Sequence, residues 1–503
     1  MITFLVALVV LVLGFVLYGT FVEKVFGIDP KAETPAITKN DGVDFVPMSG
    51  WRIFLVQFLN IAGLGPIFGA IMGIFFGPAA FLWIVFGTIF AGGVHDYLSG
   101  MLSLRKGGVS LPEIVGSELG SGIRVFMRVL SLVLLLLLTT TFLSGPATLL
   151  QGLAPLSTLP FHGRALPIAW LLIIFAYYAM ATVLPVDKLI GRFYPIFGAM
   201  LLFMGVGIAV VMLTQHGSAM PELTDGLQNR KADGLPLFPM MFVSIACGAI
   251  SGFHGTQSPI MSRCLTNERQ GRWIFYGAMV AEGILALIWA AAAGTFFADP
   301  EQGLDGIGGL QAFASHYDRG TNLPALIVDK VSRSWLGTVG GVLAIIGVIA
   351  APITSGDTAL RSARLIVADF LHIDQKPKMK RLMIALPLFL CVFGLVFVNF
   401  EIVWRYFSWT NQTLAMFTLW AGTVWLYRNQ KSEIRNQKYS FGYLIALIPA
   451  LFMTMVSTSY ILIAPEGFRL PEQYRWIGYT IAGVITLACL CGFTFWAKNY
   501  KTK

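Results

Sequence analysis

Between Phe238 and Met261 the chain is apolar enough and long enough to cross a bilayer, yet the middle of that run, Ile245 to Gln257, reads IACGAISGFHGTQ. Gly248, Gly252 and Gly255, with Ser251 and His254 among them and Gly234 upstream, argue against one continuous helix, because each interior glycine costs about 1 kcal/mol against alanine. Unwound backbone at membrane depth survives only where protein buries it or a polar cavity receives it. The break therefore predicts a polar site inside the membrane. A second break, GLGPIFG at Gly63 to Gly69, interrupts the apolar run Ile53 to Phe76. Two interrupted spans at corresponding positions are the sequence signature of a secondary transporter built from inverted repeats.

Composition agrees. Of 503 residues 56% are hydrophobic and 12% charged, against roughly 25% charged in soluble domains. Nothing reads as a separate soluble domain, and a net charge of +9 reports topology rather than nucleic-acid binding. Runs of about 20 apolar residues predict thirteen spans: Ile2 to Val22, Ile53 to Phe76, Ala79 to Leu102, Ile123 to Ser144, Leu166 to Leu184, Ile190 to Leu213, Phe238 to Met261, Trp273 to Phe297, Leu336 to Thr358, Leu382 to Val398, Tyr406 to Tyr427, Phe441 to Ile463 and Trp476 to Trp496. The first has neither the basic leader nor the A-x-A site of a signal peptide, so it is kept as a span. Most of the 35 Lys and Arg fall in connections after odd-numbered spans. That bias predicts a cytoplasmic C-terminus and an N-terminus outside.

The broken spans are the second and the seventh, five apart and so opposite in direction. The expected fold is an all-α, single-domain (1–503) integral membrane protein of the LeuT-like five-plus-five inverted-repeat type with discontinuous helices 2 and 7: an extra helix at 1–22, repeats at 53–213 and 238–427, and two added helices at 441–497. Twelve or fourteen ordinary spans without repeat symmetry is the alternative. Residues 23–51 read as a turn-rich cytoplasmic segment. In the long outer loop, the glycine-rich Gly303 to Gly309 is expected to precede a short interfacial helix at Leu310 to Tyr317. Cys247, Cys264, Cys391, Cys489 and Cys491 lack metal-ligand spacing and read as small packing residues.

Several stretches resemble the carbon starvation A family, a peptide and pyruvate transporter group within the amino acid, polyamine and organocation superfamily: GIDPKAETPAITKNDGVDFVP at 27–47, NIAGLGPIFG at 60–69, ACGAISGFH at 246–254, APITSGDTALRSARL at 351–365 and WRYFSWTNQTLA at 404–415. The resemblance implies ion-coupled import of a small nutrient, a short peptide or pyruvate, across a bacterial or archaeal cytoplasmic membrane during carbon starvation. It implies no cofactor, only a coupling ion, H⁺ or Na⁺, and no partner beyond substrate and lipid. In transporters of the LeuT-like fold a Thr or Ser pair together with carbonyls of the first broken helix commonly binds Na⁺. By that resemblance Thr354 and Ser355, with carbonyls near Ala62 and Gly65, are the candidate Na⁺ ligands, and hard oxygens suit that ion; the competing role is a hydroxyl pair bonding back to its own helix.

At the breaks, free carbonyls and half-helix ends are available to a ligand, helix N-termini favouring anions and C-terminal carbonyls cations. Ala62, Gly63, Gly65 and Gly69 on one side and Gly248, Ser251, Gly252 and His254 on the other form the expected substrate site, with Asn411 and Gln412 of span eleven capping or gating it. The competing role for these glycines is close helix crossing, and for the two amides simply tying helices together. Ionisable groups within spans are functional candidates because each costs roughly 2.5 to 3.5 kcal/mol at the bilayer centre. Glu282, Asp96 (next to His95) and His254 are the proton-coupling candidates. Asp357 is also a candidate for ion coupling, although Arg361 and Arg364, four and seven residues on, offer it a plain ion pair. No H-E-x-x-H, G-x-S-x-G or Walker A motif is present, which argues against an intramembrane enzyme or an ATPase. A channel or nutrient sensor remains the other reading, though a channel is expected to show rings of charge or carbonyls.

Overall fold

Backbone polar groups in hydrocarbon must be satisfied within their own segment, and the chain is accordingly about 80% helical. The computed structural model describes residues 1–42, 44–161, 164–183, 186–317, 321–373, 377–429 and 440–501. In order, the first half contains α1 (Ile2–Phe26), the broken pair α2 (Gly50–Ile61) and α3 (Leu64–Ile74), α4 (Ala79–Arg105), α5 (Leu111–Leu119) and α6 (Ser121–Leu153). A two-stranded hairpin, β1 (Leu159–Phe161) with β2 (Arg164–Leu166), precedes α7 (Ile168–Val183) and α8 (Val186–Gln215). The second half holds the broken set α9 (Leu237–Ser244), α10 (Ala246–Ala249) and α11 (Gly252–Ser262), then α12 (Glu268–Phe296), α13 (Gly306–Ser315), α14 (Leu323–Leu371), α15 (Lys378–Leu395), α16 (Phe400–Arg428), α17 (Leu444–Ile463) and α18 (Arg475–Lys501).

Among the described residues eight helices are long and apolar enough to cross a membrane, nine when the bent pair α2 and α3 counts as one span. The two innermost are α4 and α12, each 83% buried over its apolar window, against 28% for α1 and 17% for the last helix. These two innermost helices carry the buried His95, Asp96 and Glu282. Cysteine divides the same way. Cys247 and Cys264 are buried packing residues as expected, whereas Cys391, Cys489 and Cys491 lie on exposed surface.

Both predicted breaks are present. The first bends the chain by 45° at Ala62 and Gly63, whose dihedrals leave the helical region (ψ 46° and −139°). At the second the extended residues are Ile250 and Ser251 (φ −159° and −140°). Gly248 and Gly255 lie inside helices, contrary to the view of them as the unwound part. α14 has a third break at Gly337, where φ of 67° demands a residue without a Cβ.

The loop after α12 differs from expectation in register. Its helix starts at Gly306, so the glycine-rich stretch is helical rather than a preceding linker. A Cβ at Gly306 or Gly309 would lie 1.7 Å from the carbonyl oxygens of Gly294 and Phe297, so these glycines let α13 lie directly on the end of α12. Asp305 caps α13 through Gly308 N at 2.7 Å and takes both Arg230 guanidinium nitrogens at 2.6 and 2.8 Å. Those hydrogen bonds hold its carboxyl below the usual range. A depressed folded value contributes stability above the unfolded pKa of about 3.9 and loses it as pH falls. The site is half exposed, so the effect is small. Asp305→Ala is expected to cost about 1 kcal/mol, lowering the melting temperature at pH 7 by about 2 °C. The difference from the parent protein should shrink below pH 4; a gap unchanged at low pH would contradict this account.

On the opposite side, the 23–51 segment is tied down by Lys39 to Gly107 O (2.9 Å), Arg105 to Gly27 O (2.6 Å) and Asn267 to Pro30 O (2.9 Å). Orphan loop carbonyls there find cationic or amide donors.

Candidate functional site

The deepest polar groups converge where α4, α11 and α12 meet. His95, Asp96, His254 and Glu282 are each wholly buried. Asp96 takes two imidazoles, His95 Nδ1 at 2.8 Å on one carboxylate oxygen and His254 Nδ1 at 2.9 Å on the other. The far side of the His254 ring, Nε2, lies 3.2 Å from Glu282 Oε2. That is an ion-pair distance at an angle poor for a hydrogen bond, and neither Glu282 oxygen has a hydrogen-bond partner among the described residues. The three proton-coupling candidates, drawn from three different spans, therefore form one carboxylate–imidazole–carboxylate row. His95 extends it, with its own Nε2 unpartnered and its ring beside Gly255, where a Cβ would stand 3.1 Å away.

The protonation arithmetic of the row is simple. When both imidazoles donate to Asp96 from Nδ1, one further proton remains to be held on either His254 Nε2 or Glu282. The row carries one net negative charge with that proton and two without it. Uncompensated buried charge costs several kcal/mol per ion, so the row changes energy sharply when this proton leaves. Local backbone features put it there. α4 contains a π-helical stretch at Gly87–Gly92, a form that concentrates at functional sites. Within it Thr88 donates to the Gly248 carbonyl at 3.1 Å, fastening α4 to the second break.

The expected substrate residues surround that break, and most are engaged with protein. Asn411 Oδ1 accepts from Phe253 N (2.7 Å) and Ser251 Oγ (3.1 Å), which caps α11. Gln412 Nε2 donates to the carbonyls of Ile250 (3.3 Å) and Phe242 (3.4 Å) at the other end of the break. The glycines mark close approaches. A Cβ on Gly65 would lie 2.4 Å from Cys247 Cβ, on Gly69 2.9 Å from the Ser244 carbonyl, on Gly248 2.7 Å from Ala286 Cβ, and on Gly63 2.9 Å from the Phe142 ring. The two broken helices thus cross each other at their breaks, the crossing role that small residues allow.

Ser355 comes to the first break as expected. Its hydroxyl lies 2.8 Å from the Asn60 carbonyl and 3.2 Å from that of Leu59, but also 2.9 Å from Ala351 O of its own helix, to which Thr354 bonds back as well at 2.8 Å. The carbonyls engaged are thus those of Leu59 and Asn60, a turn before Ala62 and Gly65. No direct ion pair joins Asp357 to Arg361 or Arg364 among the described residues, although both guanidinium charges still act on its carboxylate at longer range; Arg361 Nε, Arg364 Nε and Arg364 Nη1 have no hydrogen-bond partner among those residues. Sequence reasoning also passed over a buried polar face on α11, where Gln257 Nε2 reaches Ser362 Oγ and Ser258 Oγ receives Gln57 Nε2, both at 3.2 Å. The signal was available: four polar residues, His254 and Thr256 to Ser258, within five positions of an apolar span.

The chain can be compared with known proteins on this basis. A 349-residue match at 45% identity links it to an uncharacterized membrane protein of Haemophilus influenzae, over 61% of this chain and 94% of that one. It is 28% identical to the pyruvate/proton symporter BtsT of Escherichia coli over 61% of this chain and 51% of that one, and 30% identical to the peptide transporter CstA of Campylobacter jejuni over 56% and 48%. The match thus spans about half the length of the relatives with named activities, which are transporters rather than enzymes. Among solved structures, a manganese transporter of Eremococcus coleocola superposes with a TM-score of 0.58 at 13% identity, covering 92% of this chain and 98% of that one. MhsT in complex with L-phenylalanine gives 0.57 at 16%, covering 82% and 99%. Both have the LeuT fold, so the fold agrees with the paired breaks. The family model for carbon starvation protein CstA matches residues 1–155 and 157–303, and the chain belongs to that family.

Proposed function

We propose that the chain is a secondary active transporter that imports a small carboxylate-bearing nutrient, pyruvate or a short peptide, by proton-coupled alternating access across the cytoplasmic membrane. The observation that carries this reading is the buried row Asp96–His254–Glu282, a proton-binding device whose central His254 lies two residues into α11, just past the break. On this reading thirteen spans form the five-plus-five repeat with one helix before and two after, and the C-terminus lies in the cytoplasm. A substrate carboxylate competes with Asn411 Oδ1 for the Phe253 amide at the positive end of α11. Its negative charge raises the cost of a doubly negative row nearby, so substrate and proton bind together. For a zwitterionic peptide, one proton crossing about 100 mV supplies about 2.3 kcal/mol, which at 1.4 kcal/mol per decade supports roughly 50-fold accumulation; pyruvate carried as its anion with one proton moves no net charge and is accumulated by the pH gradient alone.

A second reading uses Na⁺, favoured by Ser355 on the carbonyls of the first broken helix. Purified protein in liposomes, given labelled pyruvate or labelled tripeptide with a proton gradient, a Na⁺ gradient or none, separates these. Accumulation that follows the proton gradient is expected. Accumulation that follows Na⁺ alone moves coupling to Ser355, and equilibration indifferent to any gradient supports a channel or sensor instead.

A further inference from the structure

Two arginines of α14 take no part in the row or in either break. Arg364 is only 5% exposed, yet its Nε and Nη1 have no hydrogen-bond partner among the described residues, and neither has Nε of Arg361. Residues three apart share a helix face, and the charge of Arg361 acts on Arg364. Arg364 stands about two and a half turns along α14 from Ser355. The pair therefore faces away from the first break and from α11, which Ser355 and Ser362 meet.

A buried arginine has no way to shed its charge, because guanidinium keeps its proton at any ordinary pH. The carboxylates in reach do not supply the missing contacts. Asp357, earlier on α14, and Asp44, in the segment before α2, both act on Arg364 at longer range, and Arg381 of α15 adds a further cation. Three guanidinium groups against two carboxylates leave one positive charge over. Buried charge without a counter-charge is costly, and buried N–H groups ordinarily find an acceptor. One small anion meets both needs, since it brings the opposite charge and accepts from the orphan N–H groups through charge-assisted hydrogen bonds.

We infer that Arg361 and Arg364 form a binding site for one small monovalent anion, separate from the substrate break and from the proton-binding row. The anion has two possible sources with the same chemistry, a halide of the medium or a small free carboxylate. The burial of Arg364 favours a small ion over a bulky one. The inference goes beyond the transporter reading and does not depend on it.

The test is thermal unfolding of the full chain in detergent at constant ionic strength, with bulky gluconate exchanged stepwise for chloride, acetate or pyruvate. The proteins are the parent, Arg364→Gln, Arg364→Lys and Arg361→Gln. A ligand of the folded state alone stabilises it as its concentration passes Kd. A small anion is therefore expected to raise the parent melting temperature saturably, by about 2 °C at ten times Kd. Arg364→Gln should melt no lower than the parent in gluconate and should lose the saturable rise. Arg361→Gln should need at least ten-fold more anion for the same rise, and Arg364→Lys should keep part of it. A rise with acetate and pyruvate alone assigns the site to carboxylates, and a rise with chloride assigns it to a halide. A parent indifferent to the choice of anion, variants that keep the full rise, or Arg364→Gln destabilised equally in every salt each overturns the site. Melting needs no substrate movement, so failure of the transporter reading in liposomes leaves this result untouched.

Discussion

Glu282→Gln is expected to abolish gradient-driven accumulation while leaving the protein folded and able to exchange substrate. Gln has nearly the shape of Glu, so the contact with His254 at 3.2 Å is kept while the exchangeable proton is lost. With Gln at 282 the row keeps its one net negative charge, on Asp96, and the new amide can donate to His254 Nε2, so no charge is left newly unpaired and the melting temperature should hold. With a zwitterionic tripeptide as substrate, the accumulation ratio in liposomes should fall from roughly 50-fold at about 100 mV to unity. Counterflow exchange, which needs no net proton movement, should persist. Asp96→Asn makes the complementary case. It weakens the acceptor for two imidazoles at 2.8 and 2.9 Å and should lose stability as well as coupling. Accumulation by Glu282→Gln at the parent level would remove the row from the mechanism and send the search to Ser355.

How the row was legible, and how far, follows from the kind of signal each residue gives. Glu282, Asp96 and His254 stand out singly because a charge in an apolar run has a cost that something must offset. Their meeting was not legible, since side-chain convergence depends on helix rotation and crossing, which hydropathy does not encode. The breaks were legible from glycine content, but their detail was misassigned. Glycine marks two things, freedom of φ and absence of bulk; Gly337, outside the predicted breaks, uses the first, as do turn glycines such as Gly234 upstream of the second break. Gly248 and Gly255 use the second, with Ala286 and His95 in the space a Cβ would fill, while the extended residues are Ile250 and Ser251. Asp357 failed as an ion-pair prediction because spacing of four and seven brings residues to one helix face without fixing where long guanidinium heads turn.

Gly252→Ala is expected to give the largest structural effect of any single methyl group in the site. An added Cβ would lie 2.4 Å from the Asn411 carbonyl, 2.5 Å from Leu414 Cβ and 2.8 Å from Ala415 N. Two of these are backbone atoms of α16, which no rotamer change can move aside, so α11 and α16 must separate. Separation also strains the cap in which Asn411 Oδ1 holds Phe253 N at 2.7 Å, and a buried amide left unpaired costs about 1 to 3 kcal/mol beyond the overpacking penalty of similar size. Gly122→Ala is the matched control. Nothing lies within 4 Å of its added Cβ, and alanine in that helix should stabilise by up to about 1 kcal/mol. In purified protein Gly252→Ala should therefore lower the melting temperature by several degrees and reduce counterflow exchange at least ten-fold, while Gly122→Ala leaves exchange intact. If Gly252→Ala instead melts like the parent yet still loses exchange, the α11–α16 contact is one that opens during the cycle, and the methyl group holds it open. Unchanged melting together with unchanged exchange would mean that the two helices are not packed as described, and the cap at Asn411 would lose its role with them.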